Sequence, residues 1–304
     1  MTTLQERFRG CLLGLACGDA VGTTVEFEPK GSFAPVTDMV GGGCFALPPG
    51  YWTDDTSMAL CLAESLIKCK GFDAKDQMTR YCNWQQWGYM SSTGSCFDIG
   101  MTVATALEQF RTTQNPYAGS TDPRSAGNGS LMRLAPVPLF YFPDVEAMQA
   151  QARESSRTTH AAPEALECCE LFAAMLYQAL KGATKQDVLL AHAYSATEAQ
   201  VQALARGDYL QKTEDAIFGT GYVISSLEAA LWCFHHTDNF ADAILKAANL
   251  GDDADTTAAI TGQIAGAYYG ADAIPQRWLQ RLCMREDIEH MADQLFELSC
   301  HATC

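Results

Sequence analysis

"GDDADTTAAITGQIAGAYYG", residues 251–270, opens with three carboxylates and a hydroxyl: Asp252, Asp253, Asp255 and Thr256. It continues as an apolar stretch whose small residues recur every fourth position, at Ala258, Gly262, Gly266 and Gly270. At helical spacing these share one face that carries almost no side chain, so a second helix can approach closely. Glycine inside a helix costs about 0.5–1 kcal/mol against alanine, so its repetition reads as a packing requirement. Residues 10–18, "GCLLGLACG", hold a matching row in Gly10, Gly14 and Gly18. Both segments are expected at the centre of a helical bundle, and packing alone accounts for both rows.

The rest of the chain agrees with a bundle. Apolar residues at three- and four-residue spacing predict helices over 54–69, 99–110, 145–156, 162–181, 185–205, 223–235, 239–249, 254–270 and 285–299. No series of alternating, strand-like segments is present. The irregular stretches 23–52, 88–98 and 111–135 are rich in Gly, Pro, Ser and Thr, and none reads as a linker. The expectation is a single all-α domain over residues 1–304.

Composition narrows the partners. Apolar residues make up 48% and charged residues 18%, enough to build a sizeable core. Twenty basic against 36 acidic residues leave a net charge of −16, which repels nucleic acid and anionic membrane surfaces. The thirteen cysteines include no CxxC pair, and several sit in apolar helical stretches, as reduced buried thiols of a cytoplasmic protein do. The scattered histidines speak against zinc. Residues 7–20, "RFRGCLLGLACGDA", have the basic start and apolar centre of a secretion signal. The interruption at Gly14 and the Gly18-Asp19 ending equally suit a buried helix. No run approaches the roughly 18 apolar residues that cross a bilayer, so no membrane is expected.

The acids at 252–255 have a counterpart in "YWTDDTSMAL", residues 51–60. Alone, Thr53 followed by Asp54 and Asp55 reads as a helix cap with acids at the positive end of the dipole. Three acids within four residues at the second cluster repel one another more than a cap requires. Two such clusters make a shared site for hard cations the better account, because carboxylate and hydroxyl oxygens suit Mg²⁺, Mn²⁺ or Ca²⁺.

Seven blocks in order resemble the ADP-ribosylglycohydrolase family, and are most similar to its bacterial dinitrogenase reductase-activating type. They are "GCLLGLACGDAVGTTVEF" (10–27), "WTDDTSMALCLAESL" (52–66), "STGSCFDIGMT" (92–102), "AGNGSLMRLAP" (126–136), "RTTHAAPEA" (157–165), "GYVISSLEAALWCF" (221–234) and 251–270 itself. The resemblance implies an all-α orthogonal helical bundle with a binuclear Mg²⁺ or Mn²⁺ centre. It implies Thr53, Asp54, Asp55, Asp253, Asp255 and Thr256 as metal ligands; many relatives have glycine where this chain has Asp252.

The implied activity is hydrolysis of the N-glycosidic bond between ADP-ribose and an arginine on a protein, releasing ADP-ribose. The alternatives are hydrolysis of another ADP-ribose linkage (to serine, to an acetyl group or to a nucleic-acid base) and a non-catalytic, crystallin-like role. Asp98, Asp55 and Glu26 are the implied catalytic acids; Asp98 alternatively caps the helix starting near 99, and Glu26 is alternatively a solvated loop acid. Small residues around 92–95 and 127–130 allow backbone N–H groups to approach a diphosphate, or form ordinary surface turns. The substrate-contact expectations are Ser95, Cys96, Phe97, Gly100, Asn128, Gly129, Ser130, His160 and Tyr222. His160 otherwise reads as a residue at a helix end, Tyr222 as core and Arg133 as a brace for its loop. The expected partner is an ADP-ribosylated protein, met by a cytoplasmic monomer.

Overall fold

A computed structural model describes residues 2–190 and 194–301. Among the described residues there are fourteen α-helices. The first seven are α1 (Leu4–Gly22), α2 (Asp54–Cys69), α3 (Ala74–Trp87), α4 (Met101–Thr113), α5 (Pro136–Tyr141), α6 (Val145–Arg157) and α7 (Pro163–Leu180). The others are α8 (Lys185–Leu190), α9 (Ala199–Arg206), α10 (Val223–His235), α11 (Phe240–Ala248), α12 (Ala254–Tyr269), α13 (Gln276–Leu279) and α14 (Arg285–His301). Among the described residues the only β pairing is three isolated bridges, Gly42 with Leu47, Ser120 with His160 and Gly127 with Tyr222. No described helix is long and apolar enough to cross a membrane.

Side chains at the helix starts explain several boundaries. Thr3, Asp73, Asp144 and Asn239 each accept a backbone N–H of the first turn that follows, which satisfies a donor the helix leaves unpaired. Pro163 opens α7 at the position where a missing N–H costs nothing.

The two small-residue rows meet. α1 and α12 run antiparallel in backbone contact. A β-carbon built at Gly10, Gly14, Gly18 or Gly22 would stand 2.1–2.3 Å from the carbonyl oxygen of Gly266, Gly262, Ala258 or Ala254 respectively. α12 also packs on α7, α10 and α11, so this pair lies at the centre of the main core. Its register sets the C-terminal turns of α1, with Asp19, beside the first turn of α12. A smaller cluster of Met58, Met78, Tyr81, Trp84, Val103, Leu107 and Phe110 joins α2, α3 and α4 and supports the loop between α3 and α4.

Three expectations are corrected. The helix expected over 185–205 is two helices, with α8 ending at Leu190 and α9 starting at Ala199; residues 191–193 lie outside the described residues. α3 and α5 were not expected. α3 has a polar composition, and only Ala74, Gln77, Met78, Tyr81 and Trp84 turn inward. α5 is a six-residue helix that starts at a proline. α4 begins at Met101, two residues later than predicted.

Candidate metal and ligand site

The site is assembled on Asp19, a fully buried carboxylate of α1. Its Oδ1 accepts from the Thr53 N–H at 2.8 Å and lies 2.9 Å from the Thr53 hydroxyl. Its Oδ2 accepts from the Thr56 N–H at 3.0 Å and the Thr56 hydroxyl at 2.6 Å. Asp19 therefore caps α2 from another helix. Thr53 holds the N-cap position, but its own side chain makes no capping bond. Its hydroxyl has one proton and two acceptors in reach, Asp19 Oδ1 and, at 3.1 Å, Asp255 Oδ2.

With Thr53 and Thr56 turned onto Asp19, Asp54 and Asp55 open α2 facing α12. Asp55 Oδ2 accepts from the Thr256 hydroxyl at 3.3 Å. Asp253 Oδ2 accepts from Asn128 Nδ2 at 2.7 Å, and the same amide lies 3.1 Å from Ser226 Oγ. Asp98 and Glu26 come from loops. Asp98 has a left-handed backbone (φ 58°) and precedes Gly100, the N-cap of α4, so it does not cap that helix. Glu26 follows a single 3₁₀ turn and is only 4% exposed, so it is not a solvated loop acid. One oxygen each from Glu26, Asp98 and Asp255 lie within 4.8 Å of one another, as do oxygens of Asp54, Asp55 and Asp255.

Burial and mutual repulsion push these acids up. Burial, then the Asp98 charge, raises Glu26 to about 9; burial, then Asp19 and Asp253, raises Asp98 to about 7. Asp54, Asp55 and Asp255 are held well above the usual carboxylate range, first by burial and then by neighbouring acids. Asp55 Oδ1 and Asp255 Oδ1 are buried without a hydrogen-bond partner among the described residues. Unpaired buried carboxylate oxygens, hydroxyls and concentrated negative charge are what a hard divalent cation complements, so the donor set fits such an ion.

Beside these acids is a cavity of about 790 Å³, within the range of small-ligand sites. Glu26, Asp54, Asp98, Gly100, Asn128, Gly129, His160, Asp253, Asp255 and Thr256 all line it. Ser95, Cys96, Phe97, Ser130 and Tyr222 are not among its lining residues; Ser95 is exposed, and Cys96 packs against the smaller core cluster. The Ser95 carbonyl accepts from Ser91 Oγ within its own turn, and Phe97 packs edge-on against Phe45. Ser130 is buried beneath the loop, where its hydroxyl lies 2.8 Å from Ser156 Oγ. The Tyr222 hydroxyl donates to Glu164 at 2.6 Å.

Asp252 has a left-handed backbone (φ 52°), a conformation that glycine adopts freely. Its N–H and carbonyl bond the backbone of Glu28 and Phe27, tying the loop that carries Glu26 to the start of α12.

His160 lies ahead of the α7 N-cap, Ala162, and is 2% exposed. Burial, then the Arg133 charge, lowers it to about 3. The unfolded ring, near its ordinary 6.5, therefore takes up a proton first as pH falls. Stability from the neutral ring is complete above about pH 6.5 and is lost towards pH 3. In urea titrations, His160→Gln is expected to flatten the fall in stability between pH 6 and 4 by up to about 1.4 kcal/mol per pH unit. Equal slopes in both proteins would refute a neutral buried ring.

Sequence reasoning passed over Asp19, whose partners are 34 and 37 positions away. It also passed over the wall formed by Met101, Thr102, Val103, Met132, Thr220 and Gly221. Glycines beside Thr220 were the one available signal.

Residues 1–303 match the family profile described as ADP-ribosylglycohydrolase. The chain belongs to the ADP-ribosylglycohydrolase family. Its relatives include the ADP-ribosylarginine hydrolase Tri1 of Serratia proteamaculans, 45% identical over 97% of this chain and 80% of that protein. A second Tri1, from Pseudomonas putida, is 45% identical over 96% of this chain and 78% of its own length. The ADP-ribosyl-[dinitrogen reductase] glycohydrolase of Rhodospirillum rubrum is 29% identical over 98% of both chains. A solved structure titled ADP-ribosylglycohydrolase-related protein complex superposes with a TM-score of 0.86 at 45% identity, covering 97% of this chain and 99% of that one. This family member gathers the starts of two helices and two loops at an acidic cavity.

Proposed function

We propose that this ADP-ribosylglycohydrolase removes ADP-ribose from arginine side chains of proteins. The observation that carries the reading is the meeting of two acid-bearing helix starts at one cavity, in a chain 45% identical to proteins named ADP-ribosylarginine hydrolase. Thr53, Asp54, Asp55, Asp253, Asp255 and Thr256 would hold two divalent cations, Mg²⁺ or Mn²⁺. When bound, such ions orient ribose hydroxyls and stabilise developing charge.

The chain's own groups do the rest. Asp98 and Glu26, on separate loops at the same space, serve the proton removed from water and the proton needed by the departing guanidine. Asp55, buried beside Asp255 and Thr256 of α12, adds negative charge to the site as the sugar carbon becomes positive. Asn128 fixes Asp253, and Gly127 and Gly129 leave room for the diphosphate beside His160. The reaction adds water at the ribose carbon and releases ADP-ribose and unmodified arginine.

The test offers ADP-ribosyl-arginine, ADP-ribosyl-serine and O-acetyl-ADP-ribose side by side with Mg²⁺, Mn²⁺ or chelator. The arginine linkage is expected to turn over at least about tenfold faster than the others, and chelator to remove the activity. Faster turnover of either oxygen-linked substrate would replace the proposed linkage.

A further inference from the structure

Arg133 is fully buried, with its guanidinium 4.9 Å from the Tyr81 ring centroid. Nη1 donates to the Gly129 carbonyl at 2.7 Å, and Nη2 donates to Thr159 Oγ1 at 2.8 Å. Thr159 is itself fully buried, and its hydroxyl lies 2.9 Å from His160 Nδ1. Arginine has donors only, so the threonine oxygen is the acceptor on that side. The hydroxyl proton then needs an acceptor, and among the described residues His160 Nδ1 is the one in reach. A proton on Nδ1 would leave two donors facing one oxygen and bury the hydroxyl proton unpaired, an arrangement folded proteins avoid.

The other side of the ring is open. His160 lines the cavity, and Nε2 has no hydrogen-bond partner among the described residues. Gly127 and Gly129 keep this edge clear: a β-carbon at Gly127 would stand 3.3 Å from Nε2, and one at Gly129 2.7 Å from Cε1. The backbone that carries the ring is fixed, because the His160 N–H donates to the Ser156 carbonyl at 2.7 Å and its own carbonyl accepts from Ser156 Oγ at 2.8 Å.

We propose that Thr159, oriented by Arg133, is a positioning residue that holds His160 with its proton on Nε2, so that the cavity wall presents one neutral donor to an acceptor oxygen of the ligand. Arg133 also grips Gly129, so one buried cation sets both the ring and the loop facing it. Such a donor favours a ribose or phosphate oxygen and disfavours a ligand N–H at the same point. The tautomer follows from the protein alone; only the choice of ADP-ribose as probe rests on the proposed function.

The experiment is ring ¹⁵N NMR of the full chain with labelled histidine, His160 being assigned by its absence in His160→Gln. Calorimetric titration with ADP-ribose in Mg²⁺ accompanies it. The wild type is expected to show a protonated Nε2 and a bare Nδ1. Thr159→Val is expected to give mixed tautomers and about tenfold weaker ADP-ribose binding, the effect of one neutral hydrogen bond. Thr159→Ser, which keeps the hydroxyl, restores both readings; simple loss of packing would not be rescued in the spectrum. A proton on Nδ1 in the wild type overturns the proposal, as does a Thr159→Val protein with unchanged spectrum and affinity. If the wild type fails to bind ADP-ribose, the proposed function fails, and the ring spectrum still decides the tautomer.

Discussion

Asp55→Asn is expected to lower hydrolysis by about 10³-fold or more while making the metal-free protein more stable. Several kcal/mol of transition-state stabilisation depend on a metal ligand, and each 1.36 kcal/mol is a factor of ten. The opposite sign for stability comes from the surroundings of Asp55. It is fully buried, with one oxygen on Thr256 and the other unpartnered. Asp19, Asp253, Asp98 and Glu26 all press on its charge. Asparagine keeps the shape, can still accept from Thr256 and removes one negative charge, a gain of about 1–3 kcal/mol in chelator.

Saturating Mg²⁺ reverses the order. An ion at a hundred times its dissociation constant stabilises the wild type by about 2.7 kcal/mol, and a variant lacking a ligand does not share that gain. Thermal melts of both proteins, with chelator and with Mg²⁺, are expected to cross. A variant that is less stable than wild type in chelator would show that Asp55 is a structural acid rather than a frustrated ligand.

Legibility in the sequence followed the range of each interaction. The acids at 54–55 and 252–255 and the glycine rows are local patterns, visible because a helix start and a fourth-residue repeat each lie within a few positions. Asp19 follows the glycines of α1 and looks like the end of an apolar helix, yet it organises the whole site. Its meaning depends on Thr53 and Thr56, which only the folded chain brings to it. The alternative reading of Asp98 as a cap falls for a similar reason: Gly100 takes the N-cap position, and the left-handed turn sends the carboxylate towards Glu26 and Asp54. Arg133 is legible as a loop brace, but its reach to Thr159 crosses 26 positions and could not be read from "SLMRLAP".

Gly262→Ala, the addition of one methyl group, is expected to cost about 4 kcal/mol or more and to lower the melting temperature by on the order of 10 °C. A β-carbon there would stand 1.9 Å from the Gly14 carbonyl oxygen and 2.5 Å from its carbon. Both obstacles are backbone, so no rotamer relieves them; the helices must part by about 1 Å or more to reach ordinary contact. α12 is also packed against α7, α10 and α11, so separation at this seam opens gaps on its other faces. The same seam fixes Asp19 relative to Asp255, joined through the Thr53 hydroxyl, so whatever protein still folds should bind Mg²⁺ more weakly than wild type. Gly100→Ala is the control, since a methyl there meets nothing within 4 Å and its backbone is not left-handed. That variant is expected to stay within about 1 kcal/mol of wild type in urea unfolding, because the poorer N-cap that alanine makes is offset in part by the lower entropy of the unfolded chain. Should Gly262→Ala unfold within about 1 kcal/mol of wild type, the backbone contact is not what holds α1 against α12, and the link between the core and the acid cluster falls with it.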